Sequence, residues 1–330
     1  MKFRKVQEVG RGTLLISLPK DWARRVGVSR GSFVAVRERA DGCLVIDPSF
    51  ESPAEPTKVS LVFSGKSLER VRWEIIGAYL LGYDIIEVKV PEHISPEERE
   101  KLRGTIQNLI GLEILEEDSQ RLVVQCLLDP SAVAPRKLLR RVNTITLSMQ
   151  GDAVKALVDG DERLARLVVK RDDEVDRLYF LMVRLLRSAV QNPKLADGFG
   201  ITPIDCLDYR VVANIVESIG DYAVNVAESY LNMPKERDLS ELAEALKDVS
   251  SILRDMQNLA VGAFLSKKIG LVQKVKEELH SKTVERLNRF DLLVAGQKPK
   301  LIPYLHTISA SLSKIEKCCI DIADLVIPLS

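Results

Sequence analysis

The stretch YRVVANIVESIGDYAVNVAESYL, residues 209–231, decides how the C-terminal half of this 330-residue chain is built. Most of it is Val, Ile, Ala or Leu, so a helix here is buried on most sides. Yet Arg210, Asn214, Glu217, Asp221, Asn225 and Glu228 recur at steps of four, three, four, four and three. That spacing puts all six on one stripe of a helix. A polar seam on an apolar helix needs partners, because an unpaired buried carboxylate costs on the order of several kcal/mol. Gly220, mid-seam, gives up roughly 1 kcal/mol of helix propensity and fits a close approach by another backbone or a cluster of groups.

One helix earlier, Asp172 and Asp176 form a second i, i+4 pair, flanking the apolar stripe Leu164, Val168, Val175, Leu178 and Met182. Facing carboxylate pairs on antiparallel helices are how carboxylate-bridged metal sites are built inside bundles. An all-oxygen set suits iron, manganese or magnesium, and zinc less readily. The other reading of the same spacing is an acidic, solvated face paired with arginines such as Arg171, Arg177 and Arg210. Neither pair includes histidine or cysteine, so spacing alone favours the solvated face.

Working outward, the chain reads as helical from Pro135 to its end, with breaks near Gly160, at Asn192–Pro203, near Pro234 and at Gly296–Pro299. About six helices follow, as two copies of a three-helix unit. An ungapped offset of 107 pairs Ala156 with Ala263 and Leu164 with Leu271, but also Leu178 with Glu285. The third helices align at an offset of 96, setting Asn225–Glu228 against Asp321–Asp324. The difference corresponds to the longer loop around Asn192–Pro203.

Upstream lies a β-α-β-α-β-β pattern over residues 57–130, preceded by a linker marked by Pro48, Pro53 and Pro56. Ser95, Pro96 and Glu98 spell a capping box that opens its second helix. Gly65-Lys66-Ser67 resembles the end of a phosphate-binding loop, but the glycine required five residues earlier is Ser60, so Ser67 is read as a helix cap. Residues 1–50 alternate as short strands around one short helix, Pro19–Val26, with an Asp41-Gly42 hairpin turn. Four short strands are marginal as an isolated fold, which predicts that two copies share a core.

Residues 1–50 hold ten Lys/Arg against five Asp/Glu, in a chain whose formal net charge is +1. A basic head on a slightly acidic body points to an anionic partner for the head alone. The cysteines, Cys43, Cys126, Cys206, Cys318 and Cys319, are odd in number and lack CxxC spacing, which reads as free thiols in a reducing compartment. Met1 leads straight into charged, alternating sequence, and no apolar run approaches the roughly 20 residues that span a bilayer. The expectation is a cytoplasmic protein without membrane insertion.

Glu217-Ser-Ile-Gly-Asp221 followed by Asn225-Val-Ala-Glu228 resembles the signature of PhoU, the phosphate uptake regulator, and Arg171-Asp172-Asp-Glu-Val-Asp176 is similar to that family's acidic motif on the preceding helix. The resemblance spans roughly residues 136–330. It implies a duplicated three-helix bundle, with repeats at 136–232 and 238–330, and metal ligands at Asp172, Asp176, Glu217 and Asp221, with iron foremost. The second repeat departs: Ser313 and Lys317 stand where Glu217 and Asp221 would, and Leu279 and Thr283 where Asp172 and Asp176 would. A protonated lysine cannot ligate a metal, so a metal is expected in the first repeat only.

The head resembles the AbrB/SpoVT type of swapped-hairpin domain through Val9-Gly-Arg-Gly12, Ile16-Ser-Leu-Pro-Lys-Asp-Trp22 and Gly27-Val-Ser-Arg-Gly-Ser-Phe-Val-Ala-Val36. That implies a homodimer presenting Arg4, Lys5, Arg11, Lys20, Arg24 and Arg25 to DNA, mainly through phosphate contacts. The middle segment is similar to the one joining these parts in archaeal-type PhoU-related regulators. Together the resemblances imply a multidomain α+β regulator of phosphate uptake, not an enzyme. The alternative is an accessory protein that binds a phosphate ABC transporter component or signalling protein, with the head serving only dimerisation.

Overall fold

Hydrophobic periodicity changes from two to 3.6 along the chain, and the secondary structure changes with it. The computed structural model describes residues 3–10, 12–38, 42–48, 56–63, 67–90, 95–235 and 239–326. It divides into two units, Met1–Pro56 and Thr57–Ser330.

In the first unit, β1 (Gln7–Val9) pairs antiparallel with β2 (Thr13–Leu15), and β3 (Ala35–Glu38) with β4 (Leu44–Asp47). Between the two ladders lies α1 (Lys20–Arg25). The first ladder is shorter than its alternation predicts. Its register ends at Gln7 opposite Leu15, and among the described residues Phe3–Val6 and Ile16–Leu18 pair with no strand. Gly42 takes a left-handed φ of 78°; Arg11 and Asp41 lie outside the described residues. None of the described residues of this unit is buried, while Phe3, Val9, Leu14, Ile16, Phe33 and Leu44 are exposed.

The second unit begins with β5 (Lys58–Val62), α2 (Leu68–Leu80), β6 (Ile85–Lys89), α3 (Pro96–Gln107), β7 (Leu112–Glu117) and β8 (Arg121–Cys126). The strands order β5-β6-β8-β7, with β5 parallel to β6 and the other pairs antiparallel. Ser67 caps α2 by accepting from the Arg70 N–H, and Ser95 and Glu98 form the capping box of α3. Helix and sheet close over Val71, Ile75, Tyr79, Ile86, Leu102 and Val124.

The helical half comprises α4 (Pro135–Asp159), α5 (Glu162–Gln191), the short α6 (Pro193–Phe199), α7 (Pro203–Asn232), α8 (Ser240–Ser266), α9 (Ile269–Gln273), α10 (His280–Ala295) and α11 (Ile302–Asp324). A π-helical turn, Lys274–Leu279, joins α9 to α10 as one rod. Gly160 ends α4 at φ 73°, and α6 occupies the longer loop. One break was not anticipated: Lys267 ends α8 at φ 54°. The offset of 107 places Lys267 on Gly160, so both repeats end their first helix with a left-handed residue. A lysine adopts that conformation at a cost. Its ammonium lies 4.8 Å from the Phe264 ring centroid and 3.9 Å from Asp205 Oδ1, which offsets part of it.

Two contacts tie the second unit together. Arg184 on α5 is almost wholly buried, and its Nη1 donates to the carbonyls of Tyr79 and Tyr83 at 2.8 Å each. Its Nη2 donates to Asp84 Oδ1 at 3.3 Å, so the guanidinium satisfies carbonyls at the C-terminal end of α2. Between α4 and α8, buried Gln150 donates through Nε2 to Gln257 Oε1. Gln257 Nε2 in turn donates to Asn143 Oδ1 and Thr146 Oγ1 at 2.8 Å each. These glutamines are themselves related by the offset of 107.

Candidate functional site

Helices α5 and α7 run against each other, and Gly220 brings the α7 backbone in close. A Cβ there would stand 3.5 Å from Val175 Cγ1 and Thr146 Cγ2 and 3.6 Å from Asp172 Oδ1. That oxygen is buried and has no hydrogen-bond partner. Asp172 and Asp176 on α5 and Glu217 and Asp221 on α7 therefore form one half-buried acidic seam.

The electrostatics follow from the crowding. Burial, then the charges of Asp176 and Asp221, push Asp172 up from 3.8 to about 7. Burial, then Asp221 and Asp176, push Glu217 from 4.5 to about 7. Asp176 is raised by burial and then by Asp221, and Asp221 by burial. Each carboxylate disfavours ionisation of the next.

The arginines that could have neutralised the seam point elsewhere. Arg171 donates to Asp152 Oδ2 at 2.6 Å and Ser148 Oγ at 3.1 Å. Arg210 lies 4.8 Å from the Tyr179 ring centroid, and the Tyr179 hydroxyl donates to Asn214 Oδ1 at 2.9 Å. Arg177 lines a small cleft beside Gln107 and Glu113. Among the described residues, none of the four carboxylates has an ion-pair partner, so the solvated, arginine-paired face expected from spacing is not what forms. Likewise, among the described residues no group of three or more His, Cys, Asp or Glu side chains is placed to hold a metal ion. The seam is an uncompensated acidic line, with chemistry that fits a hard cation and no preformed cage.

The second repeat replaces it. Thr283 is buried and donates to the Leu279 carbonyl at 2.7 Å, while Lys317 is exposed. Where the first repeat has Gly220, the offset of 96 places Glu316. Its buried carboxylate meets His280 Nδ1 at 2.5 Å, just after the π-helical turn. Sequence reading passed over this pair. The signal was a glutamate in the apolar register of Ile315 and Cys319, at the one position where the other repeat needs glycine.

In the first unit, Arg4, Lys5, Lys20, Arg24 and Arg25 are all exposed and have no ion-pair partner among the described residues. Lys20, Arg24 and Arg25 share α1; Arg4 and Lys5 lie on the extended segment before β1.

One comparison bears directly on the seam. Residues 139–230 match the PhoU domain. The PhoU match covers nearly all of α4, α5 and α7, including all four seam carboxylates, and stops before α8. Two solved structures of PhoU proteins are similar to this chain. The phosphate transport system regulatory protein PhoU from Streptococcus pneumoniae is 14% identical, covering 58% of this chain and 91% of that one, with a TM-score of 0.48. PhoU from Pseudomonas aeruginosa is 21% identical, covering 58% and 93%, with a TM-score of 0.47. No curated protein matches. Among the described residues no helix is long and apolar enough to cross a membrane.

Proposed function

We propose that this chain is a cytoplasmic, non-enzymatic regulator of phosphate uptake or phosphate signalling, assembled as a homodimer whose two basic heads engage DNA. The observation that carries the reading is the PhoU match over the helices that hold the acidic seam. The head is argued from its surface. A unit with no buried described residue, exposing Phe3, Leu14, Ile16 and Phe33, lacks a core as one copy. Apolar exposure on this scale in a unit without a core supports an association surface. A second copy supplies the missing layer and doubles the row of Lys20, Arg24 and Arg25 offered to nucleic-acid phosphates.

Under this reading a metal ion, iron first and otherwise manganese, magnesium or zinc, is held by Asp172, Asp176, Glu217 and Asp221. Its support is the partnerless Asp172 Oδ1 and the mutual repulsion of the seam. The ion would supply the positive charge that the neighbouring arginines do not, and would cross-link α5 to α7. The second repeat, with Lys317 and Thr283 in those places, takes none.

The same apolar head equally supports a second reading. Here the head is a dimer clamp only, and the bundle binds a component of a phosphate ABC transporter or a signalling protein. DNA selection from a random pool at two salt concentrations separates them. An enriched motif, weakened by salt and by Arg24→Ala/Arg25→Ala, supports the DNA reading. An intact dimer with no enrichment, with or without added metal, removes DNA and leaves the clamp.

A further inference from the structure

Helices α4 and α8, the first helices of the two repeats, leave an open cleft of about 720 Å³ between them. Lys155 projects from α4, and Lys247 and Arg254 project from α8. None of the three has an ion-pair or hydrogen-bond partner among the described residues. Opposing them are Asp159, also unpaired, and Asp152, whose charge is already taken by Arg171 at 2.6 Å. Ser250 lines the same cleft at 8% exposure, with no hydrogen-bond partner among the described residues. Arg254 lies flat over Gly151, where a Cβ would come within 3.3 Å of Nη1.

Unpaired cations gathered around one concavity repel one another, and the Ser250 hydroxyl faces the cleft with no protein partner among the described residues. An anion with several acceptor oxygens would offset the clustered cations and accept from the hydroxyl. Lys247 and Arg254 stand two helical turns apart, a rise of roughly 10 Å, so the charge to be matched is spread along the cleft rather than gathered at one point. No aromatic side chain lines it, which leaves no platform for stacking a nucleobase. We propose that this cleft binds a compact linear polyanion, a short oligophosphate chain, through Lys155, Lys247, Arg254 and the Ser250 hydroxyl. The site shares no residue with the acidic seam and does not depend on the regulator reading.

The test is calorimetric titration of the full chain with sodium tripolyphosphate, at physiological ionic strength and with EDTA throughout, so that metal chelation is constant. Saturable binding at one site per chain is expected. Lys247→Gln/Arg254→Gln should weaken it at least about tenfold, the scale of a lost charge-assisted contact. Asp159→Asn, which removes the opposing charge, should tighten it a few-fold. Arg24→Ala/Arg25→Ala should leave it unchanged. If the double variant does not fold by circular dichroism, Lys155→Gln takes its place. Absence of saturable binding overturns the proposal, as does equal affinity in the cleft variant or loss of binding in the head variant. Orthophosphate binding as tightly as tripolyphosphate overturns the extended-chain assignment. A nucleoside triphosphate binding more tightly than tripolyphosphate overturns the exclusion of a base.

Discussion

The two helical repeats solve the same packing problem with opposite electrostatics. In the first, Gly220 opens room beside Asp172, and four carboxylates share the seam with no ion-pair partner among the described residues. In the second, Glu316 stands at the position of Gly220 and is answered from within by His280. One repeat gives its buried carboxylate a hydrogen-bond partner from its own helices, and the other leaves Asp172 Oδ1 without one. On similar helical frames, side-chain chemistry leaves one carboxylate paired within the chain and four others without an ion-pair partner among the described residues.

That contrast can be broken where the repeats meet. Gln257→Leu removes the partner of Gln150, Asn143 and Thr146 at once. Buried amides left unmade cost about 1–3 kcal/mol each, so a loss of about 3 kcal/mol or more is expected as a lower urea midpoint with unchanged slope. Next in size is His280→Ala, which leaves the buried Glu316 carboxylate alone. A cost of about 1–3 kcal/mol is expected, and restoring it by Glu316→Gln in the same chain would show that the pair acts as a unit.

In the first repeat the sign inverts. Asp172→Asn, in metal-free protein near pH 8, removes repulsion rather than attraction and should raise Tm by about 2 °C, on the scale of a fraction of a kcal/mol. A fall in Tm would mean that the aspartate is paired in solution. The same seam sets a pH dependence. Asp172 and Glu217 sit at about 7 against ordinary values of 3.8 and 4.5, so the folded state binds more protons between those limits. Their contribution to stability is fully present below about pH 4 and is lost as pH rises through 7. Thermal melts across pH 4–8 should therefore flatten in the Asp172→Asn/Glu217→Gln double variant. The smallest effect belongs to Lys267→Gly, which gives α8 the same terminus as α4. Relief of the left-handed strain, less the lost ring and carboxylate contacts, should stabilise by about 0.5 kcal/mol.

What was legible in the sequence followed from local rules. The capping box at Ser95, the Ser67 cap and the left-handed stop at Gly160 each announce themselves within four residues, and all appear in the structure. The stripe from Arg210 to Glu228 placed the carboxylates on one helix face, but spacing could not say where Arg171 and Arg210 turn, and they turn away. Lys267 was missed because a left-handed lysine has no sequence signature of its own; only alignment with Gly160 marks it. The glutamine pair and His280–Glu316 were missed for a related reason. Each half is an unremarked polar residue in an apolar register, and the partner lies 107 or 36 residues away. Within the first unit, alternation over Phe3–Val9 and Thr13–Leu18 marked longer strands than the Gln7–Val9 and Thr13–Leu15 ladder that forms.

The Gln150–Gln257 bond joins positions related by the offset of 107. A side-chain amide holds both a donor and an acceptor, so a glutamine on a two-fold axis can bond to its own copy. A chain of one repeat with glutamine at this position could join a second such chain through that contact, as an isologous interface requires. In this tandem chain the contact is internal, so its strength does not depend on protein concentration. The two halves are then free to diverge without having to match each other across every other residue of the interface.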